Sequence, residues 1–244
     1  ARQNWNDISS SETFGSLNQA EPRGTRNNPN LKPVVANQFD VSYEWYYDES
    51  SLFAATLFVK QIDSLRSYNE ITAPRYNEES EQYVDVIFTQ PTNDAGASIS
   101  GLEFSLQHDF DGYGFQANYT YTSGDSDQER DESMPGSGLV NGTSDHMLNL
   151  TGYYEQDQFG ARLMYNYRTE WYKGLHFNGD ELWNDSYGQW DASVNYDLTE
   201  NISLNFEAVN LTDEEIVEYN TDQDRIMSLY ANGRRFVVGA RFSF

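Results

Sequence analysis

The 244 residues carry a formal charge of −24, with 39 Asp and Glu set against 15 Lys and Arg. That balance excludes a nucleic-acid binder, because neutralising phosphates requires clustered cations. Cysteine is absent, which excludes a disulfide or a cysteine-ligated metal, and an aromatic content of 15% is too rich for a disordered acidic chain.

Taken in order, residues 1–36 are polar and turn-rich and read as a long loop with no core of its own. Residues 38–47 then alternate, with Phe39, Val41, Tyr43, Trp45 and Tyr47 on one face and Asp40, Ser42 and Glu44 on the other, the period of a strand. A turn at Asp48-Glu49-Ser50 leads to a second strand over 52–62. The long segment 63–96 holds a strand-like piece at 83–89, and residues 97–108 oppose Leu102, Phe104 and Leu106 to Gly101, Glu103, Ser105 and Gln107. After the hairpin turn Asp109-Phe110-Asp111-Gly112, Phe115, Ala117, Tyr119 and Tyr121 alternate with amides and threonines. A solvated loop, 123–144, precedes paired strands at 145–154 and 159–167, and a further loop spans 169–186. Strands marked by Trp190, Ala192, Val194, Tyr196 and Leu198 and by Ile202, Leu204, Phe206 and Ala208 follow. A loop over 210–230 delivers the chain to its last strand, where Phe236, Val238, Ala240, Phe242 and Phe244 share a face.

Short turns and long polar loops alternate strictly along this series. Tight turns on one side of a membrane and long loops on the other produce that parity in outer-membrane barrels, with one strand face in lipid and one in a polar lumen. Strands of about ten residues suit a tilted crossing. The expectation is an all-β, antiparallel up-and-down transmembrane β-barrel: 1–36 an extracellular loop, 37–244 the barrel portion. Its C-terminus is then periplasmic and its long loops extracellular, in a bacterial outer membrane. The absence of an apolar run does not oppose this, because spanning strands alternate. About nine spanning strands is odd, whereas single-chain bacterial barrels are normally even. An open sheet edge in lipid is also heavily penalised, so further strands are expected from another segment. The start Ala1-Arg2-Gln3-Asn4-Trp5, with no apolar leader, points the same way for an exported protein.

Three stretches carry a family resemblance. Asn28-Pro29-Asn30-Leu31-Lys32-Pro33 with Phe39-Asp40-Val41-Ser42-Tyr43-Glu44-Trp45-Tyr46, then Asn210-Leu211-Thr212-Asp213-Glu214, then 230–244 with Gly233-Arg234-Arg235-Phe236, together resemble the C-terminal part of a TonB-dependent outer-membrane receptor. Val34 stands where that family usually has an acidic residue. The resemblance implies a barrel of about 22 strands with a plugged lumen. It implies as partners the remaining N-terminal barrel and plug, TonB acting through the plug, and a small-molecule ligand held between loops and plug.

Candidate residues follow. Gly239, Phe242 and Phe244 resemble the terminal signal read by barrel-assembly machinery, against the plainer need for lipid-facing aromatics. Glu103, Arg162, Arg168, Glu207, Arg235 and Arg241 fall at lumen parity, where salt bridges and plug contacts are the expected role. Arg234 has lipid parity near the outer strand end, where lipopolysaccharide phosphates could pair with it. Trp171, Tyr172, His176, Phe177, Trp183 and Tyr187 crowd one loop with Asp180, Glu181 and Asp185. Aromatic faces beside acidic groups suit sugar stacking and hydroxyl bonding. From these, Trp171, Tyr172, His176, Asp180 and Trp183 are the candidate ligand contacts, with Tyr187 assigned to an interfacial aromatic girdle. The acidic loop of Asp125, Asp127, Glu129, Asp131 and Glu132 lacks the spacing of a calcium-binding loop. His108, His146 and His176 lack metal spacing, and no nucleophile–base grouping occurs, so neither a cofactor nor enzymatic activity is expected. The resemblance implies active nutrient uptake, a carbohydrate favoured and a ferric siderophore next. A passive porin or autotransporter-type barrel, and a soluble glycan-binding β-sandwich, are the alternatives.

Overall fold

The computed structural model describes residues 5–176 and 179–243, so Phe177 and Phe244 lie outside the described residues. Apart from a short helix at Trp5–Ile8, its regular structure is entirely strand. In chain order the strands are β1 (Glu12–Phe14), β2 (Arg23–Arg26), β3 (Ala36–Asp48), β4 (Ser51–Ile62), β5 (Arg66–Asn77) and β6 (Gln82–Asn93). Next come β7 (Ala97–Asp109), β8 (Tyr113–Ser126), β9 (His146–Gln156), β10 (Phe159–Arg168), β11 (Trp171–Leu175) and β12 (Glu181–Asn184). The series closes with β13 (Tyr187–Thr199), β14 (Ile202–Val209), β15 (Ile216–Asn220), β16 (Ile226–Tyr230) and β17 (Arg235–Phe242). Residues 1–37 with 61–97 form one compact unit, and 38–60 with 98–244 a second.

In the second unit the spanning strands expected from the sequence form a single nine-stranded sheet in the order β3-β4-β7-β8-β9-β10-β13-β14-β17. Pairing from β8 to β17 is antiparallel throughout, so the sheet is up-and-down and leaves β3 and β17 as its edges. The tight turns are chemically specified. Asp111 and Gly112 both have positive φ, 64° and 95°, as a two-residue type I′ hairpin requires.

The register sorts side chains into two faces, because cross-strand partners point the same way. One face carries Asn118, Asn149, Asn166 and Gln189 in one continuous row, and Ser193 and Glu207 in another. The opposite face carries Tyr119, Leu148, Tyr167 and Gly188, then Val194, Phe206 and Val238. Many of its large apolar residues are exposed, Phe39 at 64% and Val238 at 78%. A polar face backed by an uncovered apolar face cannot be stable in water, but it fits a wall between lipid and an aqueous lumen.

Aromatic belts bound the apolar face. Near the tight turns His108 packs edge-on against Phe110 (4.1 Å) and accompanies Tyr47, whose hydroxyl meets His108 Nδ1 at 3.0 Å. Near the long loops Tyr165 stacks on Trp190 at 4.6 Å and Tyr119 reaches His146 Nδ1 at 2.7 Å. From Tyr113 to Tyr121 is about 27 Å along the strand. Tilted as barrel strands are, that is roughly the height of a lipid-facing band. On the polar face, a Cβ at Gly101 would come within 2.6 Å of the Phe58 ring, so glycine there makes room for an inward-facing aromatic.

The first unit departs from the sequence expectation. The described part of the expected coreless loop, from residue 5 to 36, is structured: β1 and β2 join a long β5–β6 hairpin in a four-stranded sheet, order β1-β2-β6-β5, with β2 parallel to β6. Val86 and Phe88 are fully buried, Phe14 meets Phe88 edge-on at 5.9 Å, and the Arg75 guanidinium lies 4.9 Å over the Phe88 ring. Arg75 Nε also donates to Glu12 at 2.6 Å, tying β5 to the start of the unit. Pro74 sits in β5, an edge strand, where a missing amide is tolerated.

Candidate functional site

Above the long-loop end of the nine-stranded sheet, four short strands pair in the order β11-β12-β15-β16. That order repeats β10-β13-β14-β17, the strands from which they emerge, so this stretch of wall is carried on past its spanning strands. The break between the two tiers is pinned by Asn210, which is 4% exposed and has φ of 59°. Its Nδ2 donates to the Glu214 carbonyl (2.9 Å) and the Gly233 carbonyl (3.4 Å), and its Oδ1 accepts from the Glu214 amide (2.7 Å). One side chain thus ties the entry of the last loop to the entry of the last strand. Asn210→Ala is expected to cost about 2–3 kcal/mol, from lost bonds plus left-handed strain, while Asn210→Gly recovers the strain part; urea unfolding in detergent measures both.

On one face of this outer sheet Tyr172, Trp183 and Tyr219 are successive cross-strand partners on β11, β12 and β15. The Tyr172 and Trp183 rings lie 5.5 Å apart, and Tyr172 and Tyr219 are buried. Glu170 ends the row: its Oε2 accepts from Tyr219 Oη at 2.7 Å and from Gln223 Nε2 at 3.1 Å. Burial, helped by that carboxylate, pushes the Tyr219 phenol well up, so it stays a donor at any physiological pH.

The β8–β9 loop straps onto the same sheet. Glu181, 3% exposed, accepts from Arg130 Nη1 (2.5 Å), the Gly136 amide (2.8 Å) and Trp183 Nε1 (3.2 Å). Gly136 is required there, having φ of 80° and running against the Tyr172 hydroxyl. Burial pushes the Glu181 carboxyl up, but its three donors outweigh it and hold the group below the usual carboxylate range. A depressed folded value stabilises above the unfolded value and is lost as pH falls through the folded one. Protection factors of the 134–139 amides should therefore hold from neutral pH down to the ordinary carboxylate range, fall progressively as pH drops through it, and level off below the folded value.

Between strap, outer sheet and strand ends lies a cavity of about 530 Å³, within the range of small-ligand sites. Tyr172 and Trp183 line it with Asp145, Glu170, Asp185, Thr143, Thr169, Ser186 and Gln223; no lining residue is Lys or Arg, and the imidazole of His146, also in the lining, meets the Tyr119 hydroxyl through Nδ1.

Of the ligand contacts expected from the sequence, the structure therefore brings Tyr172 and Trp183 together. Trp171 is elsewhere, under the Arg168 guanidinium at 4.6 Å. His176 and Asp180 form the β11–β12 turn, joined by the His176 amide to the Asp180 carbonyl at 2.8 Å, and Asp180 pairs with Arg225 at 3.0 Å. Tyr187 is not in the girdle: it shares the polar face with Arg168 and Gln189 and donates to Gln189. Glu170, Asp145, Gln223 and Tyr219 were not singled out by sequence, where each is one polar or aromatic residue in a polar loop. Only the β12–β15 pairing reveals the aromatic row.

The charges expected at lumen parity lie on the polar face. Arg162 pairs with Glu155 at 2.5 Å, and Arg168 donates to Ser144 Oγ at 2.9 and 2.7 Å. Glu103 lines a shallow groove with Asp40, Thr56 and Lys60. Glu207, Arg235 and Arg241 are exposed on the same face by register. Gly239 stands opposite Asn205, whose amide fills the space a Cβ would take, and Phe242 is exposed on the apolar face.

A family model described as "TonB dependent receptor-like, beta-barrel" matches residues 3–211. Among solved structures, the ferric-catecholate import receptor Fiu of Escherichia coli K12 is 21% identical with a TM-score of 0.64, over 95% of this chain and 30% of that one. The ferric enterobactin receptor PfeA of Pseudomonas aeruginosa is 18% identical with a TM-score of 0.69, over 100% and 37%. The siderophore receptor PirA of Acinetobacter baumannii is 17% identical with a TM-score of 0.61, over 93% and 34%. The chain thus spans about a third of the length of these structures, which share its fold. No curated protein matches it. With a two-faced, up-and-down sheet and a family match over most of its length, the chain belongs to the TonB-dependent receptor β-barrel family, whose members reside in the outer membrane.

Proposed function

We propose that this chain is the C-terminal part of the barrel of an outer-membrane receptor that takes up a scarce nutrient with energy delivered by TonB. The observation that carries it is the nine-stranded wall with an uncovered apolar face and a polar face, joined to the family match. A ferric siderophore is the leading ligand class, supported by neighbours named as siderophore and ferric-catecholate receptors. A carbohydrate, favoured by sequence, becomes the second reading. Tyr172 and Trp183 still support it, but Trp171, His176 and Asp180 lie away from the cavity they line.

In this reading 1–36 and the other long segments are extracellular and the C-terminus is periplasmic. Glu103, Arg162, Arg168, Glu207, Arg235 and Arg241 face a plug supplied by the rest of the receptor. Gly239, Phe242 and Phe244 serve barrel assembly, and Arg234 is available to lipopolysaccharide.

The test is accumulation of radioactive iron(III) siderophore complexes by cells expressing the intact receptor, with and without TonB. Accumulation that requires both is expected. Equal entry without TonB, with solute-independent liposome swelling, would instead identify a passive porin, and detergent-free monomeric solubility would remove the membrane reading altogether.

A further inference from the structure

The cavity beneath the β8–β9 strap has an electrostatic character that its family membership does not specify. Three carboxylates, on Asp145, Glu170 and Asp185, line it. None of them has a basic partner among the described residues: Glu170 is held by the neutral donors Tyr219 and Gln223, and Asp185 accepts from the Ser186 amide at 2.7 Å. The cations nearby in sequence are committed elsewhere. Arg130 is bound to Glu181 and the Ser137 carbonyl, Lys173 to Glu218, and Arg168 to Ser144 with its face on Trp171.

Independently of the charges, the pairing of β11, β12 and β15 sets Tyr172, Trp183 and Tyr219 in one row, with Glu170 bonded to its end. Aromatic rings attract a cation through the negative potential of their faces, and more strongly when it is partly desolvated. Carboxylates beside such rings reinforce that preference, whereas an anion would meet unpaired like charge in a confined space.

We infer that this cavity is selective for an organic cation, receiving a protonated amine of the ligand against Trp183 and Tyr172 with Glu170 and Asp185 as its counter-charges. The inference rests on the cavity being a ligand site of an uptake receptor. It narrows the ligand to a neutral or cationic compound bearing an ammonium group, and it disfavours a polyanionic metal complex at this position. The hydroxyls of Thr143, Thr169 and Ser186 supply acceptors for the remaining ammonium protons.

Three probes of one length and different charge test it on the intact receptor in detergent: 5-amino-1-pentanol, 1,5-pentanediol and 5-hydroxypentanoate, titrated by saturation-transfer NMR. The cation is expected to bind about tenfold more tightly than the diol, with the anion weakest, and to weaken as salt is raised. Glu170→Gln and Asp185→Asn, which keep shape and hydrogen bonding, should each remove most of the cation's advantage over the diol. Equal affinity for the three probes, preference for the anion, no detectable binding of the cation, or a cation preference untouched by both substitutions overturns the inference. TonB-dependent iron accumulation is scored separately. A charge-blind cavity in a receptor that accumulates iron defeats the inference alone, and a cation-selective cavity in one that does not defeats the uptake reading alone.

Discussion

Leu163→Arg is expected to destabilise the barrel by about 2–4 kcal/mol, the cost of a guanidinium at mid-depth in lipid, whereas Met164→Arg next to it is expected to cost little. The two residues are neighbours in the middle of β10, and register alone separates them. Leu163 pairs with Gly152 and Ala192 on the apolar face and is 46% exposed. Met164 pairs with Thr151 and Asp191 on the polar face, where a guanidinium finds water and a carboxylate. Urea titration of the intact receptor refolded into liposomes reads both. Equal losses for the two variants would mean that the two faces do not meet different solvents, and a larger loss for Met164→Arg would mean that lipid and water had been assigned to the wrong faces.

The second large effect concerns the strap, and it is asymmetric. Removing Arg130 (Arg130→Met) leaves the Glu181 carboxylate, whose side chain is 4% exposed, with only neutral donors. Breaking a buried pair in that way typically costs about 3–5 kcal/mol. Removing the other charge (Glu181→Gln) strands a guanidinium that is already 41% exposed and can turn to water, so about 1–2 kcal/mol is expected. Limited proteolysis between 127 and 143 should rank the variants Arg130→Met, Glu181→Gln, wild type, from fastest cleavage to slowest. Arg130→Met also removes the strongest of the donors that hold the Glu181 carboxyl down. The carboxyl then rises relative to the wild type's, and the variant's strap should loosen at a higher pH. The reverse ranking would show that Arg130, and not Glu181, is the desolvated member of the pair.

The spanning strands were legible because their signal is local. Phe39 to Tyr47 and Phe236 to Phe242 each show period-two alternation within one segment, and turns such as Asp111-Gly112 declare themselves in two residues. The strands β5, β11, β12, β15 and β16 were not legible. Arg66–Asn77 holds a proline and no apolar alternation, and Trp171–Leu175 and Glu181–Asn184 are too short and polar to stand out. Each is a strand because of a partner elsewhere: β5 because β6 offers Val86 and Phe88, and β12 because β15 lies beside it. The motif at Asn210 was visible as a pattern, but its function as a pin between two chain entries required coordinates.

What the sequence determined alone was the division of each spanning strand into a lipid side and a lumen side, the parity of turns and loops, and the family. Those follow from side-chain alternation and turn stereochemistry, which act over a few residues. What only the tertiary structure decided was the sheet built from two distant segments of the first unit, the second tier of the wall, and the cavity whose Glu170 and Asp185 carboxylates are held by neutral donors. These depend on contacts between residues far apart in the chain, such as Tyr172, Trp183 and Tyr219, or Arg130 and Glu181, whose meeting no local pattern encodes. The long loops looked solvated because their residues are polar. They are ordered because those polar groups find one another across strands.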